Sequence, residues 1–290
     1  MHTLENEYIR IAVADKGAEL QSIQDVKTGQ EYMWSGDAAF WGKHSPVLFP
    51  IVGSLKGGTY YYKNRAYQLG RHGFARDCVF ELHNATDNSL SFLLQSDEET
   101  LKNYPFLFKL SIEYTLIEDK LRVTYRVVNI GEEDMYFSIG AHPAFKVPLF
   151  EGDAYSDYKL EFEVVENTGR WPINYDGLLE SSDIPFFYNN NVIQLRKELF
   201  YKDAIVFKHL QSKKVKLVSI KNNKGFEISF DDFPYLGIWA AKNADFVCIE
   251  PWCGIADSVN ADQQITNKEG IHQLAPGAVF VRHWEFSFIS

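Results

Sequence analysis

The feature that most narrows the fold is a period-two alternation of apolar and polar side chains. Over 106–116, Phe106, Phe108, Leu110, Ile112, Tyr114 and Leu116 fall on one side, and Lys109, Ser111, Glu113 and Thr115 on the other. Successive side chains of an extended chain point to opposite faces, so this pattern is a strand with one buried face. Leu121, Val123, Tyr125 and Val127 repeat it against Arg122, Thr124 and Arg126. The polar link Glu118-Asp119-Lys120 predicts a hairpin turn between the two runs. Similar runs predict strands near 7–13, 18–24, 78–83, 89–95, 134–139, 158–165, 204–208, 215–220, 225–231, 235–240, 245–250 and 278–288. Helical signals are few. Ser96-Asp97 ahead of Glu98 and Glu99 predicts a short capped helix ending at Asn103, with single turns near 36–41 and 196–201.

Composition agrees with strands. Aromatic residues make up 15% of the chain, with 22 Phe and 16 Tyr, and such side chains suit a pleated, half-buried surface. No repeat or Pro/Gly linker divides the 290 residues, so a single domain over 1–290 is expected. The stretch 166–192 has the weakest periodicity and reads as a long excursion from the sheets, the kind of loop that often carries function. The expected fold is all-β, one large antiparallel sandwich of many strands. A net charge of −10 argues against nucleic acid or an anionic membrane as partner. Cys78, Cys248 and Cys253 form no CxxC pair, and the polar start MHTLENEYIR has no apolar signal core. A cytoplasmic location is the expectation, with no membrane segment.

Chemistry-bearing residues cluster beside glycine or proline at expected strand ends. His72 lies in GRHGFARD, between Arg71 and Arg76. His142 lies in SIGAHPAF, after a strand over 135–139, with Pro143 expected to stop that strand. Glu250 ends the apolar run 246–249 and is followed by Pro251; Asp203 stands at the start of another strand. Each has an ordinary reading: turn histidines bonded to loops, a turn-capping aspartate, a buried ion pair for Glu250. A carboxylate entering an apolar layer is nonetheless costly unless paired or functional. His72, His142 and Glu250 would make a two-histidine, one-carboxylate set, but none of the pairs has short ligand spacing, so no metal is expected. Trp41, Trp239, Trp252 and Tyr235 read mostly as core; Trp252, two residues after Glu250, is the best candidate wall for a sugar ring. Motifs for nucleotide binding, zinc proteolysis and the hydrolase serine are absent from the chain.

Taken in order, FPIVGSLK (49–56), RHGFARD (71–77), SIGAHPAF (138–145), the strand after Asp203 and YLGIWAAKNADFVCIEPWCGIAD (235–257) resemble the aldose 1-epimerase superfamily. The similarity is greatest to the LacX-like branch of the galactose mutarotase-like proteins, and it spans nearly the whole chain. The resemblance implies a β-supersandwich with a few short helices, and interconversion of the α and β anomers of a hexose without a cofactor. It implies Glu250 as general base at the C1 hydroxyl, His142 as general acid at the ring oxygen, His72 as a hydrogen-bonding partner nearby, and Asp203 as a ligand for sugar hydroxyls. Related proteins commonly carry an arginine after the glycine of FPIVG; here Ser54 stands there, with Lys56 two residues on. Arg76 or Lys56 is expected to supply that contact, and Arg71 to be solvated. The HGFAR arginine also suits a sugar phosphate, because Arg binds phosphate bidentately. The alternative from another class, motivated by Ser54, is a carbohydrate-binding protein with little turnover. A monomer or weak homodimer is expected, with a small sugar or sugar phosphate as partner.

Overall fold

The 106–116 alternation becomes an interior strand, third from one edge, of a nine-stranded antiparallel sheet. The computed structural model describes residues 1–289. In strand Phe108–Ile117 the residues Phe108, Leu110, Ile112, Tyr114 and Leu116 are all buried, while the intervening ones are half-buried or exposed. Strand Lys120–Asn129 pairs with it from Lys120↔Ile117 onward, so the hairpin turn is Glu118-Asp119 alone, with Glu118 at φ 53°. The sheet order is Asn190–Gln194, Tyr158–Glu166, Lys214–Ser219, Gly225–Ser229, Val279–Ile289, Lys120–Asn129, Phe108–Ile117, Ser89–Gln95, Glu81–Ala85.

A second sheet packs against the first. Its order is Ile205–Phe207, Tyr235–Trp239, Phe246–Cys253, Ile139–Ala141, Val47–Leu48, and Ala144–Lys146 also pairs with Phe246–Cys253. Aromatic rings join the layers: Phe145 lies 4.4 Å from Phe226, and Phe49 lies 5.0 Å from Phe108, between ring centroids. These contacts belong to one continuous apolar cluster that draws on both sheets. The all-β sandwich expected from alternation is the observed architecture. The only α-helix among the described residues is Glu98–Asn103, capped at its start by the Asp97 carboxylate accepting from the Thr100 N–H at 2.8 Å. No helix among them is long and apolar enough to cross a membrane.

Most strand boundaries shift by one to three residues from the sequence reading, and two of the differences bear on the cleft. The strand expected over 134–139 splits into Met135–Phe137 and Ile139–Ala141, which belong to different sheets. The strand expected to end at Glu250 runs on through Pro251 to Cys253. Proline can remain in a strand where its missing N–H is not needed by the ladder. Glu250 therefore sits inside a strand whose every residue is buried, not at its end.

Candidate active site

Strand register brings the first pair together. Gly140 pairs with Trp252, and Ala144 pairs with Cys248, on the same partner strand. The two registers agree, so the interrupted segment 141–143 lies against 249–251 and His142 falls directly across from Glu250. Pro143 does not end the pairing; it opens a gap in it. On the opposite edge Glu250 pairs with Gly237, where any Cβ would come within 2.5 Å of the Trp252 ring. Gly237 and Gly140, where a Cβ would meet the same ring at 2.7 Å, together make room for that indole.

The His142 Nε2 and Glu250 Oε2 atoms are 3.3 Å apart, with side chains 9% and 2% exposed. Their alignment is too poor for a hydrogen bond, and Glu250 Oε2 and His142 Nδ1 are both buried without a partner. Burial is the main cause that raises the Glu250 carboxyl well above its usual range; Arg71 opposes the rise, and Asp203 adds to it. The Trp252 indole N–H also favours the carboxylate without being aligned to it. Burial is likewise the main cause that lowers His142 to about 3; a hydrogen bond to its own backbone opposes the fall, and Arg71 and Arg76 add to it. The favoured free state is thus an uncharged pair, carboxylic acid beside neutral imidazole.

The GRHGFARD stretch supplies the next group. His72 and Gly73 both take left-handed backbone, φ 69° and 70°. Gly73 is required because a Cβ there would lie 2.3 Å from the Phe49 carbonyl oxygen, so its close approach is to the chain and not to a ligand. The Gly53 N–H donates to His72 Nδ1 at 3.1 Å, and the His72 N–H donates to the Gly53 carbonyl at 2.9 Å. The neutral ring therefore carries its proton on Nε2. Burial, then His142, Arg71 and Arg76, lower the His72 value well below normal and keep the ring neutral. The His72 and His142 rings meet edge to face at 5.7 Å.

These residues line a cleft of about 430 Å³, together with Arg71, Arg76, Asp203, Trp41 and Trp239. Trp41 stacks on His142 at 4.9 Å and 25°, and Trp239 meets it edge-on at 5.7 Å. Trp252 lines the cleft too, but it is 4% exposed and forms floor more than wall. Of the residues picked from sequence, Glu250, His142, His72, Asp203, Arg76 and Trp252 are brought together. Lys56 is not: its Nζ donates to the Ala261 carbonyl at 3.2 Å, and its N–H is held by Asp257.

Arg71 corrects the sequence reading most. It is not simply solvated. Its guanidinium reaches the Asp203 carboxylate with Nη2···Oδ1 3.2 Å and Nη1···Oδ2 3.5 Å, inside the cleft. Alternation would send Arg71 and His72 to opposite sides; the left-handed backbone at His72 is why both face one cavity. Ser54, the departure from the related pattern, lies against Gly177 of the 166–192 excursion, and Gly177 also approaches the Arg71 guanidinium. Arg76 donates from Nη2 to the Arg71 carbonyl at 2.9 Å, while its buried Nε lies 3.7 Å from Asp77 Oδ2, an ion pair without a hydrogen bond.

Among the described residues, the set that gathers metal-type donors is His142, Cys248 and Glu250, all buried, with donor atoms within 4.8 Å of one another. Cys248 replaces His72 in the trio suggested by the sequence. Burial holds the Cys248 thiol well above its usual value, so binding a cation there would first require removing a reluctant proton.

A β-sandwich with a buried carboxyl–imidazole pair and a second neutral histidine around one cleft defines the class: a mutarotase-like supersandwich. A family model described as aldose 1-epimerase matches residues 1–277, and the chain belongs to that family, in its LacX-related branch. The chromosomal protein LacX of Lactococcus lactis subsp. lactis is 38% identical over 283 residues, covering 94% of each chain. A galactose mutarotase related enzyme from Lactobacillus acidophilus superposes with a TM-score of 0.94 at 38% identity, over 100% of this chain and 97% of that one. A galactose mutarotase-like protein from Lactobacillus casei gives 0.92 at 31% identity, over 100% of both.

Proposed function

We propose that the protein interconverts the α and β anomers of a free hexose, with Glu250 and His142 moving the protons. The observation that carries this reading is the register-matched pair, 3.3 Å apart and buried, with Glu250 Oε2 and His142 Nδ1 left unpartnered. The uncharged pair, proton on Glu250, and the charged pair, proton on His142, hold the same number of protons. Starting from the charged pair, Glu250 takes the C1 hydroxyl proton while His142 gives its proton to the ring oxygen. The bond from C1 to the ring oxygen breaks and leaves an open-chain aldehyde beside the uncharged pair. Rotation about C1–C2 turns the other carbonyl face toward the ring-closing oxygen. Closure then runs the same transfers backwards and restores the charged pair.

A positioned acid and base each contribute roughly 10²–10⁴-fold to such a step. The neutral His72 offers Nε2–H to a sugar oxygen. The Arg71–Asp203 pair suits ring hydroxyls, and Trp41 and Trp239 suit the C–H face of a sugar. The test follows freshly dissolved α-hexoses by polarimetry or NMR exchange, with Glu250→Gln as control. Enzyme-dependent acceleration that disappears in Glu250→Gln is expected. Undiminished acceleration by that variant, or none with any hexose, would sink the reading, and sugar binding without turnover would favour the carbohydrate-binding alternative.

A second reading, a hexose 6-phosphate as substrate, is favoured by the two guanidinium groups, Arg71 and Arg76, that line the cleft. Equal acceleration of glucose and glucose 6-phosphate would remove it.

A further inference from the structure

Outside the cleft, a buried ion pair with close hydrogen-bond partners joins Asp257 and Lys268. Their side chains are 4% and 2% exposed, with Nζ···Oδ1 at 2.8 Å. Lys268 also donates to the Ile255 carbonyl at 2.6 Å. The other carboxylate oxygen of Asp257, Oδ2, accepts from the Lys56 N–H at 2.9 Å, and the Asp257 N–H donates to the Ser54 carbonyl at 2.9 Å. Asp257 thus grips the 53–56 turn from both its side chain and its backbone.

That turn is the one that holds His72. Gly53, at φ 73°, lies so close to the neighbouring segment that a Cβ would come within 2.4 Å of the Ala256 Cβ. Gly53 in turn offers its N–H to His72 Nδ1 and its carbonyl to the His72 N–H. The sequence of contacts is continuous: Lys268, Asp257, the 53–56 turn, the His72 ring. A small displacement of the turn would move the one donor that decides which imidazole nitrogen carries the proton.

We propose that Asp257 is a positioning residue for the site: by clamping the 53–56 turn it fixes the Gly53 N–H on His72 Nδ1, so that His72 presents Nε2–H to the ligand. Lys268 neutralises the clamp and allows it to be buried. The catalytic consequence rests on the epimerase reading above; the tautomer itself does not.

The experiment compares two double variants. Asp257→Ala with Lys268→Met removes the acceptor for the Lys56 N–H without burying a lone charge. Asp257→Asn with Lys268→Met removes the same ion pair but keeps a carbonyl acceptor at that place. Long-range ¹H–¹⁵N NMR of the imidazoles reports the tautomer. In the wild type and the Asn/Met protein, His72 is expected to show an unprotonated Nδ1 and a protonated Nε2. In the Ala/Met protein the two ¹⁵N shifts should move toward each other, and kcat for anomerisation should fall roughly ten- to a hundredfold, the range outer histidine partners command in metal sites. KM should change less than kcat. A wild-type His72 protonated on Nδ1 overturns the proposal, as does an Ala/Met spectrum identical to wild type. Equal loss of turnover in both double variants overturns it too, because that is what a purely structural ion pair predicts. If no hexose is turned over even by the wild type, the epimerase reading fails while the NMR comparison still decides the clamp.

Discussion

Among the described residues, two acid–base pairs are buried on both sides, and they are built in opposite ways. Asp257 and Lys268 have close, aligned partners for the charges they bury. His142 and Glu250 are as deeply buried, yet they face each other without alignment and leave polar atoms unpartnered. Leaving a buried polar group unsatisfied costs about 1–3 kcal/mol. A fold that can satisfy one pair fully has the means to satisfy the other. The contrast teaches that satisfaction belongs to architecture, and that an open pair inside a cleft with perturbed protonation is where acid–base chemistry is to be tested.

Substitution in each pair should separate the two. In the open pair, Glu250→Gln should cost anomerisation roughly 10²–10⁴-fold while leaving the unfolding free energy in urea at or below pH 4.5, where the wild-type carboxyl keeps its proton, within about 1 kcal/mol of wild type. In the closed pair, Asp257→Ala alone should cost about 3–5 kcal/mol in urea unfolding, because Lys268 is left as an uncompensated buried charge. If Glu250→Gln destabilised as much as Asp257→Ala, the distinction between the pairs would collapse.

A titration sharpens the same comparison. His142 is depressed to about 3 in the folded protein, so its contribution to stability is complete above the unfolded value of 6.5 and is lost as pH falls toward 3. Glu250 is raised well above 4.5, so its contribution is complete below 4.5 and is lost as pH rises toward the folded value. Between 4.5 and 6.5 the two slopes have opposite signs. Removing the ionisable group in Glu250→Gln should make stability rise more steeply with pH across that window, by about 1.4 kcal/mol per pH unit. An unchanged slope in chemical denaturation would mean that Glu250 is ionised in the folded protein.

The smallest effects lie at the surface of the cleft. The Arg71 side chain is 44% exposed, so Arg71→Ala should change stability by less than about 1 kcal/mol, while KM rises through loss of the group that holds Asp203. Lys56→Ala should leave both kcat and KM within about twofold of wild type in steady-state assays, a change too small for a contact at the chemistry. A larger effect at Lys56 than at Arg71 would reverse the placement of the two.

How much was legible in the sequence differs between fold and site. Alternation in 106–116 and 121–127 exposed the sandwich because a two-residue period is local and needs no knowledge of the partner strand. Glu250 was visible because a carboxylate in an apolar run contradicts its neighbourhood. His142 and His72 were marked by their proline and glycine neighbours, and the family motifs ordered all of them. Arg71 was not legible, because its direction depends on left-handed backbone at His72, and that conformation answers to Gly53 and Phe49 far away in the chain. Trp41 was weighed only as an aromatic, since its stacking on His142 joins segments about a hundred residues apart. Lys56 looked eligible because it sits close in sequence to the related arginine position, but its amine was drawn to Ala261.

The sequence by itself determined the strands, their buried faces and the carboxylate and histidines that line the cleft. Those are properties of short-range pattern and side-chain chemistry. Only the tertiary structure decided that His142 lies across from Glu250, that Arg71 enters the cleft, and that one ionisable pair is closed while the other stays open. Register, burial and hydrogen-bond alignment arise between segments distant in the chain, and they set the protonation on which the chemistry depends.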